Sequence, residues 1–317
     1  MKEIINKLGA SGTPFLFILD YELKNPLVLP LHEINANNIK YKINKKQNYQ
    51  TKNVCNKVNI HPHTINKETY KLAFDKVIHE QQIGNNYLLN LTFSTPISTN
   101  SSLEEIFHLA NAKYKLLYND TFVCFSPETF IKIINGEIFS YPMKGTINAS
   151  LPNAKKILLS NHKENQEHTT IVDLIRNDLS QVATNISVTK FKYLDKLKTS
   201  NKQLLQMSSE IKGTLPKNYQ KILGDILYKL LPAGSITGAP KVKCIELINN
   251  IESHTRGYYT GVMGIFDGNN LDSAVMIRFI EKQQNDYYYK SGGGIRIDSD
   301  MDSEFEELND KIYIPIH

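Results

Sequence analysis

The sequence predicts an α+β fold. Short apolar, β-branched runs come in groups, helical patterns fall between the groups, and Asn135-Gly136 joins two runs with the dipeptide of a tight hairpin. Regular βαβ alternation, which would mark a parallel sheet, is missing, and no internal repeat occurs.

Residues 15–19 and 27–31 read as two strands joined by a polar turn. Residues 33–63 are rich in Asn, Lys and Gln with little periodicity, and read as an exposed connection. Thr64 then starts a helix with Tyr70, Leu72, Ala73, Val77 and Ile78 as apolar positions, ending near Gly84. A strand at 87–93 and a short helix at 103–111 follow. Strands at 114–117, 122–126, 130–134 and 137–141 form a meander. Residues 154–183 are helical in pattern, with further strands near 186–191 and 209–213 and a helix at 219–230. A glycine-rich loop at 232–240 enters a helix at 242–250. Strands at 257–266, 271–279, 286–290 and 293–297 precede a last helix at 302–312.

The chain has 317 residues, 41% of them hydrophobic, enough for a real core. Its net charge of +5 favours small anionic substrates, but the charge is spread and no Arg-rich block exists, which argues against nucleic acid. Cys55, Cys124 and Cys244 are scattered without metal or redox spacing, which fits a reducing, cytoplasmic setting. No targeting segment or membrane span is read.

Lys144 is the first chemical candidate. It stands between Met143 and Gly145 in a β-rich run, where its stem can lie in an apolar wall and its amine at a pocket mouth. Burial would lower its pKa and free a nucleophilic amine. Glu128 follows a strand 16 residues earlier and would make an acid–amine pair with it, or be a turn carboxylate after Pro127. Glu164 and Glu167, and again Glu304 and Glu307, are three apart on predicted helices, so each pair shares a face. Two facing pairs would offer hard oxygen ligands suited to Mg²⁺; spacing alone equally describes wet helix faces. Gly292, Gly293 and Gly294 would let backbone amides cradle an anion, or form a flexible loop. The loop from Pro232 to Lys241 holds Ser235 and Thr237 at a helix N-terminus, but lacks P-loop spacing. Arg278, alone in an apolar run, needs an internal ion-pair partner or a substrate carboxylate.

These residues sit in SPETF, PMKGT, EHTTIVDLIRNDLS, PAGSITGAPKVKCIELI, RGYYTGVMG and SGGGIRIDSDMDSEFEELNDK. From about Thr64 to Ile312 the chain resembles the chorismate-binding enzymes, which include anthranilate, isochorismate, salicylate and aminodeoxychorismate synthases. The resemblance implies two stacked antiparallel sheets flanked by helices, with chorismate and Mg²⁺ in a cleft between them. Residues 1–63 would be shortened N-terminal strands and a polar connection of the same fold, and 64–317 the chorismate-binding catalytic part. By the same resemblance Glu167 and Glu307 would ligate Mg²⁺ directly, and Glu164 and Glu304 through water. The amides of Gly292–Gly294 would take the ring carboxylate, and Arg278 and Tyr259 the enolpyruvyl carboxylate. Ser235 and Thr237 join the expected substrate-binding residues, and Glu128 would protonate the departing C4 hydroxyl.

Within the family, lysine at position 144 resembles the aminodeoxychorismate synthases, where it is thought to add to ring C2 before ammonia arrives at C4. Isochorismate and salicylate synthases carry a water-activating lysine where this chain has Leu88. Anthranilate synthases carry a histidine linked to pyruvate loss where this chain has Gln206. The expectation is amination of chorismate at C4 with ammonia from a separate glutamine amidotransferase, since none of the three cysteines sits in a glycine elbow. The alternatives are anthranilate synthesis and a non-catalytic binding protein of the same fold.

Overall fold

The computed structural model describes residues 1–52, 58–198 and 203–316. Its first strands in chain order are β1 (Phe15–Leu19), β2 (Leu27–Pro30), β3 (Ile39–Ile43), β4 (Lys46–Gln47), β5 (Ile60–Pro62) and β6 (Leu88–Thr99). Next come β7 (Tyr114–Tyr118), β8 (Phe122–Ser126), β9 (Thr129–Ile134), β10 (Glu137–Ser140), β11 (Met143–Asn148) and β12 (Thr184–Lys198). The last are β13 (Gln203–Thr214), β14 (Gly238–Ala239), β15 (Val262–Phe266), β16 (Leu271–Val275), β17 (Phe279–Gln283) and β18 (Asp286–Ile295). The helices are α1 (Lys2–Ala10), α2 (Lys67–Gln82), α3 (Leu103–Leu109), α4 (Ala154–Ser160), α5 (His162–Ser180), α6 (Leu223–Leu230), α7 (Lys241–Ile251) and α8 (Met301–Asp310).

The strands build two antiparallel sheets. One runs β11-β13-β10-β9-β16-β15-β1-β2, with β12 also on β13. The other runs β14-β6-β18-β17-β8-β7-β3-β4, with β5 also on β6. β1 shows how they stack. All five of its residues are buried. Leu16 and Ile18 share one apolar cluster with Ile39, Tyr41, Leu116 and Phe122 of the other sheet. Phe15, Phe17 and Leu19 instead join Leu223 and Leu227 of α6. Successive strand residues point to opposite faces, so a run that is apolar throughout suits a strand covered on both sides. On the far face of the second sheet, Val123, Phe125 and Ile280 pack under Leu103, Ile106 and Phe107 of α3. That helix starts in a capping box between Ser102 and Glu105.

The four strands expected between 114 and 141 are present, but they are two hairpins in different sheets, β7–β8 and β9–β10, and not one meander. Both Asn135 (φ 52°) and Gly136 (φ 82°) take the positive φ of a tight hairpin. Several boundaries differ for physical reasons. Residues 33–63 are more than a connection: β3 pairs with β7, and Ile39, Tyr41 and Ile43 are buried. α1, absent from the sequence reading, docks on α6, where Asn6 Oδ1 accepts the Gly224 N–H at 2.7 Å. The single helix expected at 154–183 is two, separated at Asn161, whose side chain caps α5 by accepting from the Glu164 amide. Residues 257–261 turn rather than extend, so β15 begins at Val262. The strand expected at 271–279 splits into β16 and β17, which belong to different sheets. The two expected at 286–290 and 293–297 are one strand, β18. Cys55 lies outside the described residues; Cys124 and Cys244 are buried free thiols. Among the described residues no helix is long and apolar enough to cross a membrane.

Candidate active site

The chain changes sheets at the two places that matter most. Between β8 and β9 it crosses at Pro127-Glu128, and between β16 and β17 at Met276–Arg278. Strand-to-strand crossings leave the hydrogen-bond ladder, so their side chains are free to face the space between the sheets. Glu128 and Arg278 both line one cleft of about 440 Å³ there, and Arg278 holds a positive φ of 53°. Lys144, Tyr259, Ser235, Gly292, Gly293, Gly294, Glu164, Glu167, Glu304 and Glu307 line the same cleft. Folding thus gathers candidates that are far apart in sequence.

The glycines are strand, not loop. β17 pairs with β18 only as far as Phe279↔Lys290, whereas β6 stays paired to Ile295. One ladder edge of residues 291–295 is therefore unpaired by β17, which is the arrangement an anion-cradling edge needs. A Cβ on Gly293 would meet Glu304 Oε2 at 3.4 Å, and one on Gly294 would meet Lys144 Nζ at 3.5 Å and Leu88 Cδ1 at 3.2 Å. Any side chain there fills the cleft.

Lys144 Nζ lies 3.5 Å from Glu167 Oε2, and its side chain is 29% exposed. The expectation of a depressed amine pKa is overturned. Burial does pull it down, but Glu167, Glu307, Glu164 and Glu304 together outweigh burial and hold it above the ordinary lysine value. Two of the other acids are charge-matched too: Lys163 lies 3.5 Å from Glu304 Oε1, and Lys311 lies 2.7 Å from Glu307 Oε1. Burial raises the carboxyl pKa of Glu164 and of Glu304. At Glu307 burial is outweighed by Lys311 and its pKa is lowered.

Glu128 accepts from Ser235 Oγ at 2.5 Å. Burial pushes its carboxyl up, with Ser235, Lys144 and Arg278 pulling the other way. Arg278 makes no ion pair with a carboxylate among the described residues. Its guanidinium lies over the Tyr313 ring at 5.2 Å, and its buried Nε has no hydrogen-bond partner. A guanidinium that lines a cleft without a carboxylate partner has the chemistry to receive an anion. Tyr259 is buried beside it, its hydroxyl pKa raised by that burial. Thr237 departs from expectation: it is fully buried, and its hydroxyl donates to Ala233 O at 2.7 Å, bracing the loop instead of facing the cleft.

Sequence reasoning passed over Arg256, Lys163, Lys290 and Lys311. Arg256 is buried against Glu252 at 2.7 Å and donates to Ile236 O at 2.8 Å and Asn90 O at 2.7 Å, two residues of the cleft wall. Lys311 also donates to Gly292 O at 2.7 Å. The signal was there for Lys311, four residues after Glu307 on one helix face. Leu88 is buried in an apolar cluster with Ile171, Leu174 and Ala239, so no titratable group stands at that point of the wall.

Among the described residues no three acidic, His or Cys side chains converge into a ready metal cage. The donor chemistry fits Mg²⁺: four carboxylates from α5 and α8 line one cleft, and three of them stand within ion-pair distance of a lysine amine.

The family model described as chorismate binding enzyme matches residues 25–317. An uncharacterized PabA-like protein of Haemophilus influenzae is 51% identical over 314 residues, covering 99% of this chain and 96% of that protein. The aminodeoxychorismate synthase component 1 of Salmonella typhimurium is 33% identical over 211 residues, 63% of this chain and 45% of that protein. The crystal structure of anthranilate synthase component I from Streptococcus pneumoniae superposes with a TM-score of 0.67 at 24% identity, over 80% of this chain and 58% of that one. Its fold is the same.

Proposed function

This chain belongs to the chorismate-binding enzymes, and within that family we propose that it aminates chorismate at C4. The product would be 4-amino-4-deoxychorismate, for p-aminobenzoate and folate synthesis, with ammonia from a glutamine amidotransferase partner. The observation that carries the reading is Lys144, whose amine lies in the cleft beneath Gly294 and against Glu167, in one chamber with Glu128. Leu88 supports it from the other side, because an apolar wall offers no base to activate water as the nucleophile.

The residues divide the work as follows. Arg278 and Tyr259 receive one substrate carboxylate, and the open edge at Gly292–Gly294 the other. Glu164, Glu167, Glu304 and Glu307 would hold Mg²⁺, which when bound would polarise the ring carboxylate and cancel the field that keeps the proton on Lys144. The neutral Nζ adds to C2, both double bonds of the ring diene shift towards C4, and the C4–O bond breaks. Glu128, whose carboxyl pKa is raised by burial, supplies a proton so that water leaves. Ammonia then adds at C4, the electrons return, Lys144 is expelled as the free amine, and the extra proton on the new C4 nitrogen goes back to Glu128. The net change is ammonia in and water out.

The test is product identification by mass after incubation with chorismate, Mg²⁺ and ammonium. We expect the 4-amino product from the parent and none from Lys144→Ala, which should still bind chorismate and Mg²⁺. Fluorescent anthranilate would overturn the reading, and no consumption of chorismate would favour a binding protein. Glu307→Gln should weaken Mg²⁺ binding by titration calorimetry at least tenfold, and equal affinity would remove it from the ligand set.

A further inference from the structure

β11 does not run regularly along β13. Met143 faces Ser208 and Thr146 faces Gln206, so three steps on one strand oppose two on the other. The surplus residue lies at Lys144-Gly145, a β-bulge. Gly145 has φ +81°, and a Cβ there would stand 3.0 Å from Glu164 Oε2 and 3.2 Å from both Leu158 Cδ1 and Met207 Cε. The backbone is pressed against its surroundings at this point and has left the ladder. One side chain reaches across from β13 to this point. Gln206 Nε2 donates to Gly145 O at 3.3 Å, and Gln206 Oε1 accepts from Thr146 Oγ1 at 3.1 Å. Gln206 itself lines the cleft.

We propose that Gln206 is a positioning residue: its amide grips the bulge at Gly145 O and Thr146 Oγ1, next to Lys144, and so aims Lys144 at the glutamates and the bound substrate. The same stretch of β13 holds the opposite partner, because Ser209 Oγ meets His168 Nε2 at 2.7 Å, and His168 follows Glu167 on α5. Four consecutive residues of one strand therefore set both ends of the Lys144–Glu167 contact. The choice of amide matters. Glutamate could accept from Thr146 but not donate to Gly145 O, and leucine could do neither.

This inference rests on the catalytic reading of Lys144, so its experiment has one readout that needs no turnover. The first measurement is kcat and KM for chorismate in Gln206→Leu, Gln206→Glu and Thr146→Val. The second is the rate at which trinitrobenzenesulfonate labels Lys144, followed by peptide mass. With both clamps gone in Gln206→Leu, kcat should fall about tenfold, the scale of two modest hydrogen bonds, while KM stays within about twofold. Labelling of Lys144 should be at least about threefold faster, since an unclamped amine leaves the glutamates more often. Thr146→Val, losing one bond, should fall between parent and Gln206→Leu in both readouts, and it carries the test should Gln206→Leu fail to fold. Unchanged labelling overturns the inference. So does a rise in KM at constant kcat, which would make Gln206 a substrate contact. Changed labelling in a protein that makes no aminated product would sink the proposed function and leave the clamp standing.

Discussion

A glutamate taken out of water holds its proton to higher pH, and Glu128 is in that position. The folded pKa is above the unfolded one. Its contribution to stability is therefore full below the ordinary carboxylate range and is lost as pH rises through the raised folded value. Glu128→Gln keeps the shape and an acceptor for Ser235 but cannot ionise. It should melt higher than the parent at pH 8, with the gap closing by pH 4 in thermal denaturation. A gap independent of pH would mean that Glu128 is not held neutral. The same argument predicts that the parent's kcat falls on the alkaline side as Glu128 ionises, a limb missing from residual turnover in Glu128→Gln. Sequence reading found the type and position of this group, because a glutamate after a strand and a proline is visible in one dimension. It misjudged the sign at Lys144 because that sign is a sum over four acids contributed by two helices.

On the scale of elements, the cleft wall depends on one buried ion pair. Arg256 and Glu252 are 1% and 2% exposed, and Arg256 ties the loop at Ile236 to β6 at Asn90. Removing one partner leaves an uncompensated buried charge, so Arg256→Ala should lose about 3–5 kcal/mol in urea denaturation. A loss below about 1 kcal/mol would show that the wall stands without it. β18 offers a gentler test. Gly294→Ala places a methyl group against Leu88 and Lys144. KM for chorismate should rise several-fold with the melting temperature little changed, whereas an unaltered KM would take the glycine edge out of the substrate site. Periodicity located these elements well where one face alone is buried. It failed at 271–279, where an unbroken apolar run hides a change of sheet, and at 154–183, where only the Asn161 cap marks the break.

At the scale of the molecule, the N-terminal segment is woven into the core. β1 lies between β15 and β2, β3 pairs with β7, and α1 packs on α6 so closely that a Cβ on Gly224 would stand 2.2 Å from Lys2 O. We expect one calorimetric transition with equal calorimetric and van't Hoff enthalpies; two separable transitions would divide residues 1–63 from the rest. By itself the sequence determined the α+β class, the family, the Asn135-Gly136 hairpin, and the identities of the lysine, the glutamates and the arginine. Those are properties of local pattern and residue chemistry, which a chain carries wherever it is placed. Tertiary structure alone decided that β16 and β17 part company at Arg278, that Gly292–Gly294 form an open strand edge, and that Thr237 turns inward. It also decided that four acids around Lys144 pull its pKa up against the effect of burial. Each of these depends on groups distant in the chain meeting in low-dielectric surroundings, where charge and hydrogen-bond balance are set by neighbours that no local window contains.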